Sequence, residues 1–198
     1  NGESDVCYDG QYFFDTDHSE GDSGTQDNDI SVDISALPAN QHGSTTAPSP
    51  EEMELSILQA VSQILGFKDD QGEPMNENAN SYRVMVPVPF MASAAAALKN
   101  PVIVDSTGAR TNTIVNIGGF SFALDVNPRL TWTTKFAVFR ADGQTKPFIR
   151  QEEEGVTVAA IAEGSELEFR EDKHQYGVKA IRNVGYGYWQ HGCLVTLT

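Results

Sequence analysis

The spacing of hydrophobic residues changes part-way along the chain, and that change limits the fold class more than any motif does. Ile57, Leu58, Val61, Ile64 and Leu65 recur at i, i+1, i+4, i+7 and i+8, which is one apolar stripe of a helix. Ser49-Pro50-Glu51-Glu52 ahead of them supplies an N-cap, a proline at the first helical position and a glutamate placed to close a capping box. Gly66 reads as the C′ residue that ends the helix. From Phe120 onward the period is two: Phe120, Phe122, Leu124 and Val126 alternate, and Phe136 to Phe139 is a denser apolar run. Further strand candidates are Phe148-Ile149, Leu167-Phe169, Tyr176-Val178-Ala180 and Tyr186-Tyr188.

Between these regions Tyr82 to Val86 reads as a buried strand ended by Pro87 and Pro89, and Phe90 to Lys99 as a short alanine-rich helix stopped by Asn100-Pro101. CYDGQYFF near the start combines an Asp9-Gly10 turn with aromatics of high strand propensity. Asp15 to Pro48 is rich in Asp, Ser, Gly and Thr, and with only a weak Ile30/Val32/Ile34 alternation it is predicted to be a long loop holding at most one short strand. The predicted class is α+β, with two helices in the middle and strands concentrated in the last 80 residues, joined by short Gly or Asp turns and so antiparallel. No internal repeat is present, and 198 residues suffice to bury a core without metal or disulfide staples.

Charge divides the chain differently. The first basic residue is Lys68; residues 1 to 67 carry 13 acids, and the remainder nearly balances, within a net charge of −15. Such acidity opposes non-specific binding to nucleic acid or to an anionic membrane. The apolar uncharged stretch Val84 to Leu98 is interrupted by prolines and too short to span a bilayer. The opening NGESDVCYDG has neither a basic flank nor an apolar core and reads as the edge of a longer chain, not as a signal peptide. Cys7 and Cys193 are too few for a disulfide framework and read as free thiols of a reducing compartment.

No catalytic constellation emerges. Asp15, Asp17 and His18 suggest a divalent metal, but an EF-hand counted from Asp15 would need Gly and Glu where Glu20 and Gln26 stand. Solvated carboxylates are the simpler reading, and a metal-dependent hydrolase built on those three residues is the remote alternative. The histidines and serines include no G-x-S-x-G elbow, Cys193 and His191 share a strand face without an activating neighbour, and the glycines form no phosphate loop. Catalytic, cofactor and metal residues are therefore all assigned as none. The sharper signal is the alternation of basic and acidic stretches in KPFIRQEEE and EFREDKH. It makes Lys146, Arg150, Glu152, Glu153, Glu154, Arg170 and Lys173 candidates for ion pairs with an identical neighbour.

Six segments in order resemble one family. They are YDGQYFFDTDH at 8 to 18, FKDDQGEPMN at 67 to 76, RVMVPVPFMASAAAAL at 83 to 98, GFSFALDVNPRL at 119 to 130, FAVFRADGQTKPFIRQEEE at 136 to 154, and FREDKHQYGVKAIRNVGYGYWQ at 169 to 190. The chain resembles the major head subunits of Mu-like phages and prophages, the gpT family of capsid proteins with the Hong Kong 97-type fold. The resemblance implies an axial domain over 15–142, with two central helices and a sheet, and a peripheral domain made of strands from 1–14 and 143–198. It implies that the N-terminal arm, extended loop and spine helix of the family lie outside this chain. It further implies a structural subunit that needs no cofactor and self-assembles into pentamers and hexamers of a virion capsid in the bacterial host cytoplasm, with no membrane and no specific nucleic-acid partner. A shell of the encapsulin type, enclosing protein cargo, is the alternative within the same fold.

Overall fold

A computed structural model describes residues 5–198; the reading of the extreme N-terminus as a cut edge rests in part on residues 1–4, outside the described residues. Two compact units emerge, one comprising the described residues up to Pro147 together with Tyr186–Thr198, the other Phe148–Gly185.

The larger unit opens with short strands β1 (His18–Ser19), β2 (Thr25–Gln26) and β3 (Asp29–Val32), followed by α1 (Pro50–Gly66), β4 (Ser81–Val86) and α2 (Met91–Lys99). A hairpin of β5 (Val102–Asp105) and β6 (Gly108–Thr111), the single turn α3 (Thr113–Asn116), β7 (Ser121–Val126), β8 (Lys135–Arg140) and β11 (Gly192–Leu197) complete it. The segment Asp15 to Pro48 thus holds three short strands where one at most is predicted. Polar turns separated them too closely for any hydrophobic period to register.

Five strands form one sheet in the order β3-β11-β8-β4-β7. The sheet is mixed: β4 pairs antiparallel with β8, and β8 with β11, but β4 runs parallel to β7 and β11 parallel to β3. The expectation of an antiparallel sheet fails because α2 and the β5–β6 hairpin form a crossover between β4 and β7, a connection that returns the chain in the same direction.

Helix α1 starts as its sequence dictates. Ser49 accepts from the Glu52 N–H while the Glu52 carboxylate accepts from the Ser49 N–H, closing the capping box. Its end differs from the reading above: Gly66 is the last helical residue, and Phe67 leaves in an extended conformation with its N–H on the Ile64 carbonyl. The apolar stripe of α1 lies against β8 and β11, and α2 lies against β7. Met53, Ile57, Ile64, Tyr82, Val84, Phe90, Phe136, Val138, Leu194 and Trp189 are buried in a single core. Phe13 and Phe14, next to the Asp9-Gly10 turn, join this core and meet Phe139 across it.

Close packing at the start of β11 explains Gly192. A Cβ there would lie 2.9 Å from Phe13 Cε1 and 3.0 Å from Phe139 Cδ1. Gly192→Ala is expected to destabilise the chain by about 1–3 kcal/mol through overpacking, read as a lower urea midpoint with an unchanged m-value.

In the smaller unit, β9 (Phe148–Ile161) and β10 (Gln175–Tyr186, the last residue of which belongs to the larger unit) pair as a two-stranded ribbon, with α4 (Glu166–Glu171) between them in sequence. Leu167-Phe169, read above as a strand, lies inside α4. Ser165 accepts from the Glu168 N–H, Glu168 accepts from the Gly164 N–H, and Asp172 ends the helix in the left-handed region. This local cap outweighs the strand propensity of one Leu and one Phe.

Candidate functional site

The loop carboxylates do not converge on a metal. His18 is buried in β1 with its ring stacked 4.0 Å from that of Trp189, and its Nδ1 lies 2.6 Å from Asp9, not from Asp15 or Asp17. Asp17 accepts from the Gln11 side chain at the surface, and Asp15 bonds the Thr16 N–H. Asn28 anchors the segment from beneath, accepting from the Asp15 N–H and donating to the Phe13 and Trp189 carbonyls. Among the described residues no group of His, Cys, Asp and Glu has the arrangement of a metal site. His18 is a packed side chain whose Nε2 has no hydrogen-bond partner.

The thiols are buried and unpaired with each other. Burial first, and then the charge of Asp9, push the Cys7 thiol up to about 12; burial raises Cys193 as well. Neither is a nucleophile at neutral pH. His191 does not share a strand face with Cys193, because it belongs to a short 3-10 turn ahead of β11. A cleft of about 370 Å³ lined by Ser23, Thr25, Gln26, Asp27, Gln63, Gly66, Phe67 and Lys68 contains no nucleophile paired with a base.

Two buried polar centres instead tie the larger unit together. In the first, Asn76 donates to the Ile64 and Gln190 carbonyls, so its Oδ1 is left to accept from Arg140 Nη1 and His191 Nδ1. That arrangement makes His191 Nδ1 the protonated nitrogen and Nε2 the acceptor for Thr145 Oγ1 at 2.9 Å. Arg140 also holds Asp142, which accepts from the Asn80 N–H. In the second, Glu54, buried on α1, accepts a forked pair of bonds from Arg110 on β6 and a third from the Thr113 N–H; Arg110 Nε reaches Asp105. Neither centre has a sequence signature, since Glu54 and Arg110 stand 56 positions apart and Asn76 and His191 115, and only the fold brings them together.

The charges assigned above to an intersubunit patch lie at the surface. Lys146, in the larger unit, donates to the Ala141 carbonyl. The rest are in the smaller unit, where Arg150 pairs with Glu152, Glu154 with Lys179, Arg170 with Glu166 and Lys173 with Glu171. Around them no residue from Phe148 to Gly185 is buried. Val156 and Val158 on β9, Tyr176 and Val178 on β10, and Phe169 on α4 are all largely exposed. The sequence reading placed the charges of this unit and overlooked its uncovered apolar residues. The signal was there in the Val156/Val158 and Tyr176/Val178 alternation, which no segment of matching character accompanies.

Among the described residues no helix is long and apolar enough to cross a membrane. A comparison with the curated proteins finds no significant match. A family comparison matches residues 1–48 and 126–196, more than half of the chain, to the Mu-like prophage major head subunit gpT. The matched parts contain β1 to β3, β8, the whole ribbon and nearly all of β11, with both flanks of the Asn28 anchor; the helices α1 to α3 lie between them. A shared family thus accounts for an α+β chain whose polar clusters hold structure and whose largest exposed features are surfaces: it belongs to the family of the Mu-like prophage major head subunit gpT.

Proposed function

We propose that this chain is a structural subunit of a tailed-phage or prophage icosahedral head, acting through self-association into capsomers and not through a reactive centre. The observation that carries this reading is the family match at both ends of the chain. Supporting it, the Asn76 and Glu54 centres of the larger unit are closed by their own hydrogen bonds, whereas Val156, Val158, Phe169, Tyr176 and Val178 of the smaller one face solvent. A shell subunit works through broad surfaces repeated under symmetry and needs no nucleophile. In this reading the fold is of the Hong Kong 97 type, the axial domain of residues 15–142 lies within the larger unit, and the ribbon belongs to the peripheral domain made of strands from 1–14 and 143–198. Lys146, Arg150, Glu152, Glu153, Glu154, Arg170 and Lys173 then lie at or near contacts between subunits, in pentamers and hexamers of a virion capsid assembled in the host cytoplasm. No cofactor, membrane or sequence-specific nucleic acid takes part.

The intact gene product is expected to give closed particles in negative-stain electron microscopy. Light scattering that detects only monomer under every assembly condition would overturn the reading.

A further inference from the structure

Between the end of β8 and the start of β9 the chain passes through residues 141–147, of which 143–146 are exposed and Pro147 is buried. Backbone bonds tie the two ends of this segment, from the Ala141 N–H to the Ser81 carbonyl and from the Gly187 N–H to the Pro147 carbonyl at 2.9 Å. In between, Lys146 donates to the Ala141 carbonyl of the same segment, and Gly143 lies against the Arg140 guanidinium. Among the described residues the one side-chain hydrogen bond from 143–147 to the rest of the larger unit joins Thr145 Oγ1 to His191 Nε2.

That bond ends on a ring whose surroundings oppose a positive charge. His191 is 1% exposed. Its Nδ1 and Arg140 Nη1 lie 3.1 Å and 3.0 Å from the same atom, Asn76 Oδ1, so a charged imidazole would face a guanidinium across a single oxygen. The other charged groups facing the ring are Lys146, a further cation, and Asp142, which is already engaged by Arg140 Nε and the Asn80 N–H. Tyr188 meets the ring edge-on at 5.8 Å, and Asn76 and Thr145 are neutral. A buried charge without a partner costs far more than the same charge in water. Thr145 Oγ1 can accept from a protonated Nε2, but reversing that bond neither hydrates the ring nor moves it away from Arg140. Hydration is gained by uncovering Nε2, and the residues beside it are the exposed ones of the segment, held there by the Thr145 bond.

We propose that residues 142–147 form an acid-released clasp: Thr145 and His191 hold the segment shut while the ring is neutral, and proton uptake by His191 opens it locally while the five-stranded sheet stays folded. The opening frees the point at which the chain leaves the larger unit for β9.

Native-state hydrogen exchange of the 198-residue chain, followed by NMR between about pH 7 and 4.5 and corrected for intrinsic rates, tests the clasp. The Gly187 amide reports on the segment, and the amides that pair β4 with β8 report on the sheet. Because the open form takes up a proton that the closed form does not, the opening constant at Gly187 is expected to rise about tenfold for each pH unit below an ordinary histidine's 6.5. It should exceed that of the sheet amides at every pH and be insensitive to low urea, as a local opening is. Thr145→Val, at an exposed position, is expected to raise it about fivefold at neutral pH with its pH slope unchanged, and His191→Gln to remove the slope. A Gly187 amide that exchanges together with the sheet overturns the proposal, because the segment then opens only by global unfolding. A wild type without the slope, a slope that survives His191→Gln, or a Thr145→Val variant that exchanges like the wild type overturns it as well.

Discussion

Arg110→Met is expected to destabilise the chain by about 3–5 kcal/mol, the loss that follows when one partner of a buried ion pair is removed. Glu54 is fully buried on α1, and its carboxylate is held by both terminal nitrogens of Arg110 and by the Thr113 N–H at 2.6 Å. Methionine keeps much of the aliphatic bulk but leaves Glu54 with one neutral donor and Asp105 without its guanidinium. Arg110 is itself held more firmly protonated than usual, chiefly by its bonds to Glu54 and against the opposing effect of burial. Arg110→Lys should recover only a small part, because a single ammonium cannot serve Glu54 and Asp105 at once as a planar fork does. Pairing Arg110→Met with Glu54→Gln should return a good share of the stability by removing the orphaned charge. Urea denaturation of the four proteins checks this, and equal losses for the single and double variants would show that the pair is not what joins α1 to the β5–β6 hairpin.

Acid should weaken the fold through His191 by a comparable amount. Burial, reinforced by the charge on Arg140, pushes the His191 imidazole down to about 4, with Asp142 pulling the other way and Lys146 adding to the depression. The folded state therefore holds a neutral ring, and the unfolded chain, with an ordinary histidine near 6.5, takes up a proton first. Its contribution is complete above pH 6.5 and is lost as pH falls toward 4, amounting to about 3 kcal/mol over that window. The carboxylates held low by their donors, Asp33, Asp105 and Asp142, add further loss only below it. His191→Gln, whose amide can replace only part of the Asn76 and Thr145 bonding, should be less stable at pH 7 yet show a flatter stability profile between pH 6.5 and 4. An unchanged profile would rule His191 out as the source.

Much of this architecture is legible in the residues because local chemistry decides it. The Ser49 to Glu52 cap, the i, i+4 stripe of α1, the Pro87 stop after β4 and the alternation in β7 each act over a few positions, and each appears where expected. Elements set by distant partners are not legible. Strand β3 is four residues with one fully buried side chain, and it exists because β11 lies beside it. The β5–β6 hairpin carries no turn dipeptide of the Asn-Gly type, and its tie to α1 runs through Arg110 reaching Glu54. The mixed sense of the sheet follows from what crosses between β4 and β7, a property of connection and not of strand composition. Of the candidate surface, the charges of KPFIRQEEE were readable, but exposure was not: valines at alternate positions look the same whether a second layer covers them or not.

Strand β11 has a consequence for biosynthesis. It lies between β3 and β8, and among the described residues it is the ladder partner of β3. On the ribosome, residues 29–32 must wait until 192–197 leave the exit tunnel before they can pair. Such long-range closure is slow and comes late. A nascent polypeptide thus cannot complete this sheet before residues 192–197 have emerged, so the residues of its edge strand β3 stay unpaired while everything between them is made.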